Sequence, residues 1–131
     1  MSRGNAVQTA IYTRLVGYSP LSGVYVYDGI PQGATAIYPS ITIGEDISTA
    51  WDTDEKLGAN IVLAIHTWSR TAGRHETKDL QGKIFDALAR YEMTVTGYKL
   101  VTMEFEGEES FLEPDGETRH GVSKFRVYLT V

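Results

Sequence analysis

Between Asn5 and Val16 the apolar residues Val7, Ile11 and Leu15 recur at i, i+4 and i+8, with Ala6 and Ala10 beside them. That spacing predicts an amphipathic helix. Asn5 is placed to cap it and Gly17 to end it. The period changes at Val24-Tyr25-Val26-Tyr27, a β-branched and aromatic run that predicts a short strand. Tyr25 and Tyr27 share one face of that strand and meet either a partner or the core. Asp28-Gly29-Ile30-Pro31-Gln32-Gly33 then reads as a loop.

Ser40 to Gly44 alternates as a strand, with Ile41 and Ile43 on one face. Leu57 to Ser69 is a longer β pattern. Ile61, Leu63 and Ile65 point one way and Val62, Ala64, His66 and Trp68 the other, so both faces are expected to be buried, as in a central strand. Residues 45–56 between these runs are long for a hairpin turn, and predict either a connection or two strands prolonged beyond the sheet as an arm. Trp51 stands in the middle of this polar stretch. It either folds back onto the sheet or anchors a neighbouring subunit, because tryptophan is enriched at binding hot spots.

The strongest helical pattern is Arg74 to Tyr91, where Leu80, Ile84, Ala87, Leu88 and Tyr91 form one stripe and Glu76, Lys83, Asp86 and Arg90 the wet face. Strands are expected at Met93 to Thr96 and Tyr98 to Glu106, broken at Gly97. Pro114-Asp115-Gly116 is a turn: proline presets φ and glycine accepts the left-handed position. A last strand runs from Thr118 to Val131, with Phe125, Val127, Leu129 and Val131 inward. The order predicts a single α+β domain over 1–131, two helices packed on one face of a mostly antiparallel sheet, with an extended hairpin arm.

Composition narrows the chemistry. A length of 131 residues suits one core, and the absence of cysteine excludes disulfides, thiolate nucleophiles and cysteine-ligated metals. No apolar run reaches the ~18–20 residues that span a bilayer. Met1-Ser2-Arg3-Gly4-Asn5 is not an export signal, so a cytoplasmic product is expected and no membrane partner. A net charge of −5 disfavours a broad phosphate-gripping face. Seven carboxylates lie between Glu104 and Glu117 with no lysine or arginine among them. Such a run is either a solvated face or a surface that repels polyanions or meets a basic partner.

Catalytic motifs do not assemble. Gly17-Tyr18-Ser19-Pro20-Leu21 lacks the closing glycine of a nucleophile elbow, and Gly82-Lys83 lies inside a helix and not in a phosphate loop. His66 sits mid-strand among apolar residues and reads as a hydrogen-bonded structural imidazole. With His75 and His120 it offers no i, i+4 metal pair. Asp52-Thr53-Asp54-Glu55 lacks the spacing of a calcium loop. We therefore expect no enzyme, no cofactor and no metal.

Val26-Tyr27-Asp28-Gly29-Ile30-Pro31-Gln32-Gly33 and Tyr38-Pro39-Ser40-Ile41-Thr42-Ile43-Gly44-Glu45-Asp46 resemble the first half of the tail-completion family of long-tailed bacteriophages, prophages and gene transfer agents. Trp51-Asp52-Thr53, Ile65-His66-Thr67-Trp68-Ser69-Arg70 and Gly73-Arg74 keep the family's order. Glu113-Pro114-Asp115-Gly116, His120-Gly121-Val122 and Phe125-Arg126 are similar to its close. The resemblance implies a virion protein, assembled in the host cytoplasm, that forms a hexameric ring at the head-proximal end of the tail. There it would stop tail-tube polymerisation, contact tail tube protein and head connector, and let DNA pass without specific binding. Another neck, head-closure or tail-tube component is the alternative, and a small α+β enzyme a more distant one. Gly29, Pro31, Gly33, Gly116 and Gly121 are expected to fix backbone geometry. Ile47, Trp51 and Asp52 are the candidates for subunit contact. Glu106, Glu108, Glu109 and Glu113 are the candidates for lining a channel.

Overall fold

The computed structural model describes residues 2–27 and 37–131; the glycine- and proline-rich loop from Asp28 to Gly33 lies outside them. Helix α1 spans Arg3–Gly17 and carries Ala6, Val7, Ala10, Ile11 and Leu15 on its buried stripe, as the periodicity requires. Its cap is Ser2 and not Asn5: the Ser2 side chain accepts from the Asn5 backbone N–H at 3.0 Å, which places Asn5 in the first turn. Helix α2 spans His75–Leu88 and buries Leu80, Ile84, Ala87 and Leu88. It stops before Tyr91 because Arg90 takes φ 57 and gives its backbone N–H to the Met103 carbonyl at 2.8 Å. Arg14 ties the helices together. Its Nε donates to the Ala87 carbonyl at 2.9 Å and its guanidinium lies 3.7 Å from the Tyr91 ring centre.

Among the described residues five strands form one sheet in the order β1-β2-β3-β5-β4. They are β1 (Tyr25–Tyr27), β2 (Ser40–Ala50), β3 (Gly58–Ser69), β4 (Lys99–Leu112) and β5 (Arg119–Thr130). Only β1 with β2 is parallel; the other pairs are antiparallel. Both helices cover the face that carries Ile41, Ile61, Ile65, Met103, Phe125, Val127 and Leu129, all sealed from solvent. The α+β expectation stands.

Five further details differ from the pattern-based expectation. The segment 45–50 continues β2, paired as far as Ala50 with Ala59, so the hairpin is long but its second strand stays inside the sheet against β5. Residues 93–96 form no strand, because the chain there crosses irregularly from α2 to the edge; Met93 and Val95 are still buried. Strand β4 runs on to Leu112, since pairing with β5 as far as Arg119 overrides the weak β preference of its glutamates. Val131 lies beyond β5 and is exposed, and only one face of β3 is sealed. On the other face Asn60, Val62, His66 and Trp68 are half-buried, because among the described residues no further layer packs over them.

Candidate functional site

The hairpin tip is organised around Gly58. Its backbone N–H donates to Asp52 Oδ1 at 2.9 Å, and its carbonyl accepts from the Trp51 backbone N–H at 3.1 Å and from Arg3 Nη1 at 3.4 Å. The Thr53 N–H donates to the Lys56 carbonyl at 2.8 Å, and the Lys56 N–H to Thr53 Oγ1 at 3.1 Å, closing the tip. A Cβ at Gly58 would collide with the Trp51 carbonyl and lie 2.8 Å from that of Leu129. Trp51 folds back so that its ring centre lies 4.8 Å from that of Tyr128, yet it remains 37% exposed. Ile47, opposite Val62 on the open face, is 69% exposed. Of the three predicted contact residues, Asp52 is thus engaged inside the hairpin, while Ile47 and Trp51 present apolar surface.

The four predicted channel residues sit on or beside the edge strand β4, and the fold treats them unequally. Glu106 pairs with Arg126, and Glu113 Oε1 lies 2.6 Å from His120 Nδ1. Glu108 and Glu109 are exposed, with no ion pair among the described residues. Register shifts at Leu100/Thr102 and Phe105/Gly107 bend the strand, and together with its charges they blunt a free edge against stray pairing. In the adjoining turn Asp115 accepts from the backbone N–H groups of Glu117 and Thr118 and from Thr118 Oγ1. Those bonds, Thr118's above all, hold its carboxyl down to about 2.

The third cluster lay outside the sequence reading. On the uncovered sheet face, register places Ser40, Trp68, His120 and Phe111 in one row across four strands. The Trp68 and His120 rings stack with centres 3.9 Å apart, and Phe111 flanks His120 at 4.8 Å. Trp68 Nε1 donates to Thr42 Oγ1 at 3.0 Å. His66 and His120, fifty-four positions apart, meet with Nδ1 and Nε2 2.6 Å from each other. His66 Nε2 continues to Glu45 Oε2 at 3.1 Å. Gly44 makes room: a Cβ there would stand 2.6 Å from His66 Nε2. The nitrogens face one another in a chain and not around a common point, and among the described residues no cluster of three ligands could hold a metal. A cleft of about 380 Å³ lined by Arg74, Thr77, Ser110, Phe111, Leu112 and Arg119 opens to solvent and gathers no nucleophile with a base.

Residues 9–130 match the family described as Tail completion protein gp17. The chain belongs to that family. Among its relatives, the tail completion protein gp17 of Bacillus phage SPP1 is 29% identical over 121 residues, covering 92% of this chain and 90% of that protein. The solved structure of bacteriophage SPP1 gp17 superposes with a TM-score of 0.62 at 28% identity, over 94% of this family member and 88% of that chain. A chain in the virion of a native gene transfer agent particle shares the fold more closely, with a TM-score of 0.86 at 22% identity over 98% and 97% of the two chains. The strand-and-turn segments named from the sequence fall within the matched span.

Proposed function

We propose that this family member is a structural virion protein that completes the tail by forming a ring, hexameric as the family resemblance implies, on its head-proximal end. The ring would stop tube polymerisation and present a surface to the head connector. The observation that carries the reading is the near full-length match to a relative named for tail completion, with little left over in either chain. The physical layout supports it. A heterologous interface between identical subunits closes into a ring when its rotation closes, and this chain offers unlike surfaces at its two sheet edges. Beyond the short β1, the free half of β2 carries the exposed Ile47 and leads to Trp51 at the hairpin tip, and the opposite edge carries the glutamates of β4.

In this arrangement Ile47 and Trp51 contact the next subunit, with Asp52 shaping the tip that presents them. Glu106, Glu108, Glu109 and Glu113 face the channel, where negative charge repels DNA phosphates and lets the genome pass. Deleting the coding region is expected to give tails of uncontrolled length or tails not attached to heads, seen by electron microscopy; normal infectious particles would refute the proposal. Native mass spectrometry of the purified chain with tails reads the copy number, and a chain that stays monomeric and never joins tails would count equally against it.

A further inference from the structure

We propose that Glu45, His66, His120 and Glu113 form a proton-dependent clamp across three strands and the turn after β4, holding one proton between the two imidazoles that neither neutral ring can supply. Glu113 and Glu45 are acceptors when ionised, so His120 must present Nδ1–H to Glu113 and His66 must present Nε2–H to Glu45. If both rings were neutral, the remaining nitrogens, His120 Nε2 and His66 Nδ1, would face each other with lone pairs at 2.6 Å. Only one added proton lets all three contacts be hydrogen bonds. It belongs on His66, which then donates from both nitrogens, while neutral His120 accepts at Nε2.

The surroundings agree with that assignment. Burial pushes His120 below the ordinary imidazole value against the pull of Glu113, and charge on His66 pushes it the same way. Glu45 is held below the usual carboxylate range by its own backbone N–H and by His66. The other titratable and charged groups on this face are Tyr25 and Tyr27 of β1, Lys124, Arg126 and Tyr128 of β5, and Lys99, Glu104 and Glu109 of β4, with Glu106 paired to Arg126 and Arg70 beside the turn at Thr118. The helices and their charges lie on the opposite side of the sheet.

The clamp joins the bulge of β2, where the register shifts between Ile43 and Asp46, to the turn between β4 and β5. Its outer end is the weak one, since the Glu45 side chain is 72% exposed and that of Glu113 only 26%. Loss of the proton therefore releases Glu45 and with it the anchor of the exposed half of β2.

A pair that keeps one proton has a stability maximum. In the unfolded chain each histidine titrates near about 6.5. Below that pH the unfolded chain binds two protons and the folded pair one, so stability falls as pH falls. Above it the unfolded chain binds none and the folded pair one, so stability falls as pH rises.

The test is imidazole nitrogen NMR on the full chain from pH 5 to 8.5, with denaturant midpoints over the same range. At pH 6.5 we expect His66 protonated on both nitrogens and His120 on Nδ1 alone, and midpoints that peak there. Glu45→Gln should move the high-pH limb to lower pH and leave the low-pH limb in place. Two neutral rings, a doubly protonated His120, or a monotonic profile untouched by Glu45→Gln would overturn the proposal. So would a rise in midpoint with zinc that is reversed by a chelator, which would put a metal between the rings.

Discussion

Ile61, Phe125 and Val127 on the helix-covered face are sealed from solvent, while their neighbours Asn60, Val62, Lys124, Arg126 and Tyr128 on the uncovered face stay partly or wholly wet. The covered face is aliphatic and aromatic carbon, held by shape. The open face is held by directional contacts: Arg126 Nη1 to Asn60 Oδ1 at 2.9 Å, Trp68 to Thr42, and the His66–His120 chain. Alternate residues of the same two strands thus do different work. One set makes the fold, and the other leaves a surface whose geometry is fixed but whose coverage is incomplete.

The largest test of that division is Phe125→Ala. It empties the centre of the covered face and is expected to remove about 3–5 kcal/mol in denaturant unfolding; a loss below about 1 kcal/mol would place the core elsewhere. Gly121→Ala comes next. Its Cβ would collide with Thr67 Oγ1 and lie 2.7 Å from Gln81 Nε2, so Thr67 and Gln81 must shift and the Gln81 bond to the Glu109 carbonyl is disturbed, for about 1–3 kcal/mol in the same measurement. Trp51→Ala should lower the stability of the isolated chain by about 1 kcal/mol through the lost Tyr128 contact, while abolishing assembly with tails in a sedimentation assay. Equal, modest effects on both readouts would make Trp51 part of the fold alone.

Acid should act on the turn after β4. The Asp115 carboxyl is depressed to about 2, so its contribution is present above the ordinary aspartate value and is lost as pH falls toward 2. Asp115→Asn is expected to blunt that acid sensitivity, read by circular dichroism between pH 5 and 2. The smallest effect on folding belongs to Glu108→Gln with Glu109→Gln, within about 0.5 kcal/mol because both side chains are exposed. Slower DNA ejection from particles carrying that pair would support the channel placement, and unchanged ejection would argue for an outer location.

The covered face was legible in the sequence because burial writes a period. The stripe of α2 and the inward set Ile61, Leu63 and Ile65 follow directly from spacing, and so does the final alternation through Leu129. The open face writes none. His66 and Trp68 were placed correctly on a shared face, but their meeting with His120 depends on β3 lying beside β5 in one register, which pairs Trp68 with His120. No local pattern encodes that. The reach of β4 was hidden for a related reason: Glu106 to Glu109 resembles a solvated loop, and only the ladder to β5 makes it a strand. Trp51 illustrates a choice that spacing left open; it folds onto Tyr128 and still shows an apolar edge.

The tip of the β2–β3 hairpin is closed twice, first by Asp52 and Trp51 on Gly58 and then by Thr53 on Lys56. Asp54 and Glu55 are the exposed pair between Thr53 and Lys56, so an insertion there opens at most the second closure and leaves the Asp52–Gly58 one in place. A short epitope or a dye inserted between them would leave the strand register untouched. One copy per subunit would then mark the hairpin in images of whole particles, making a fold detail into a ruler for the subunit's orientation.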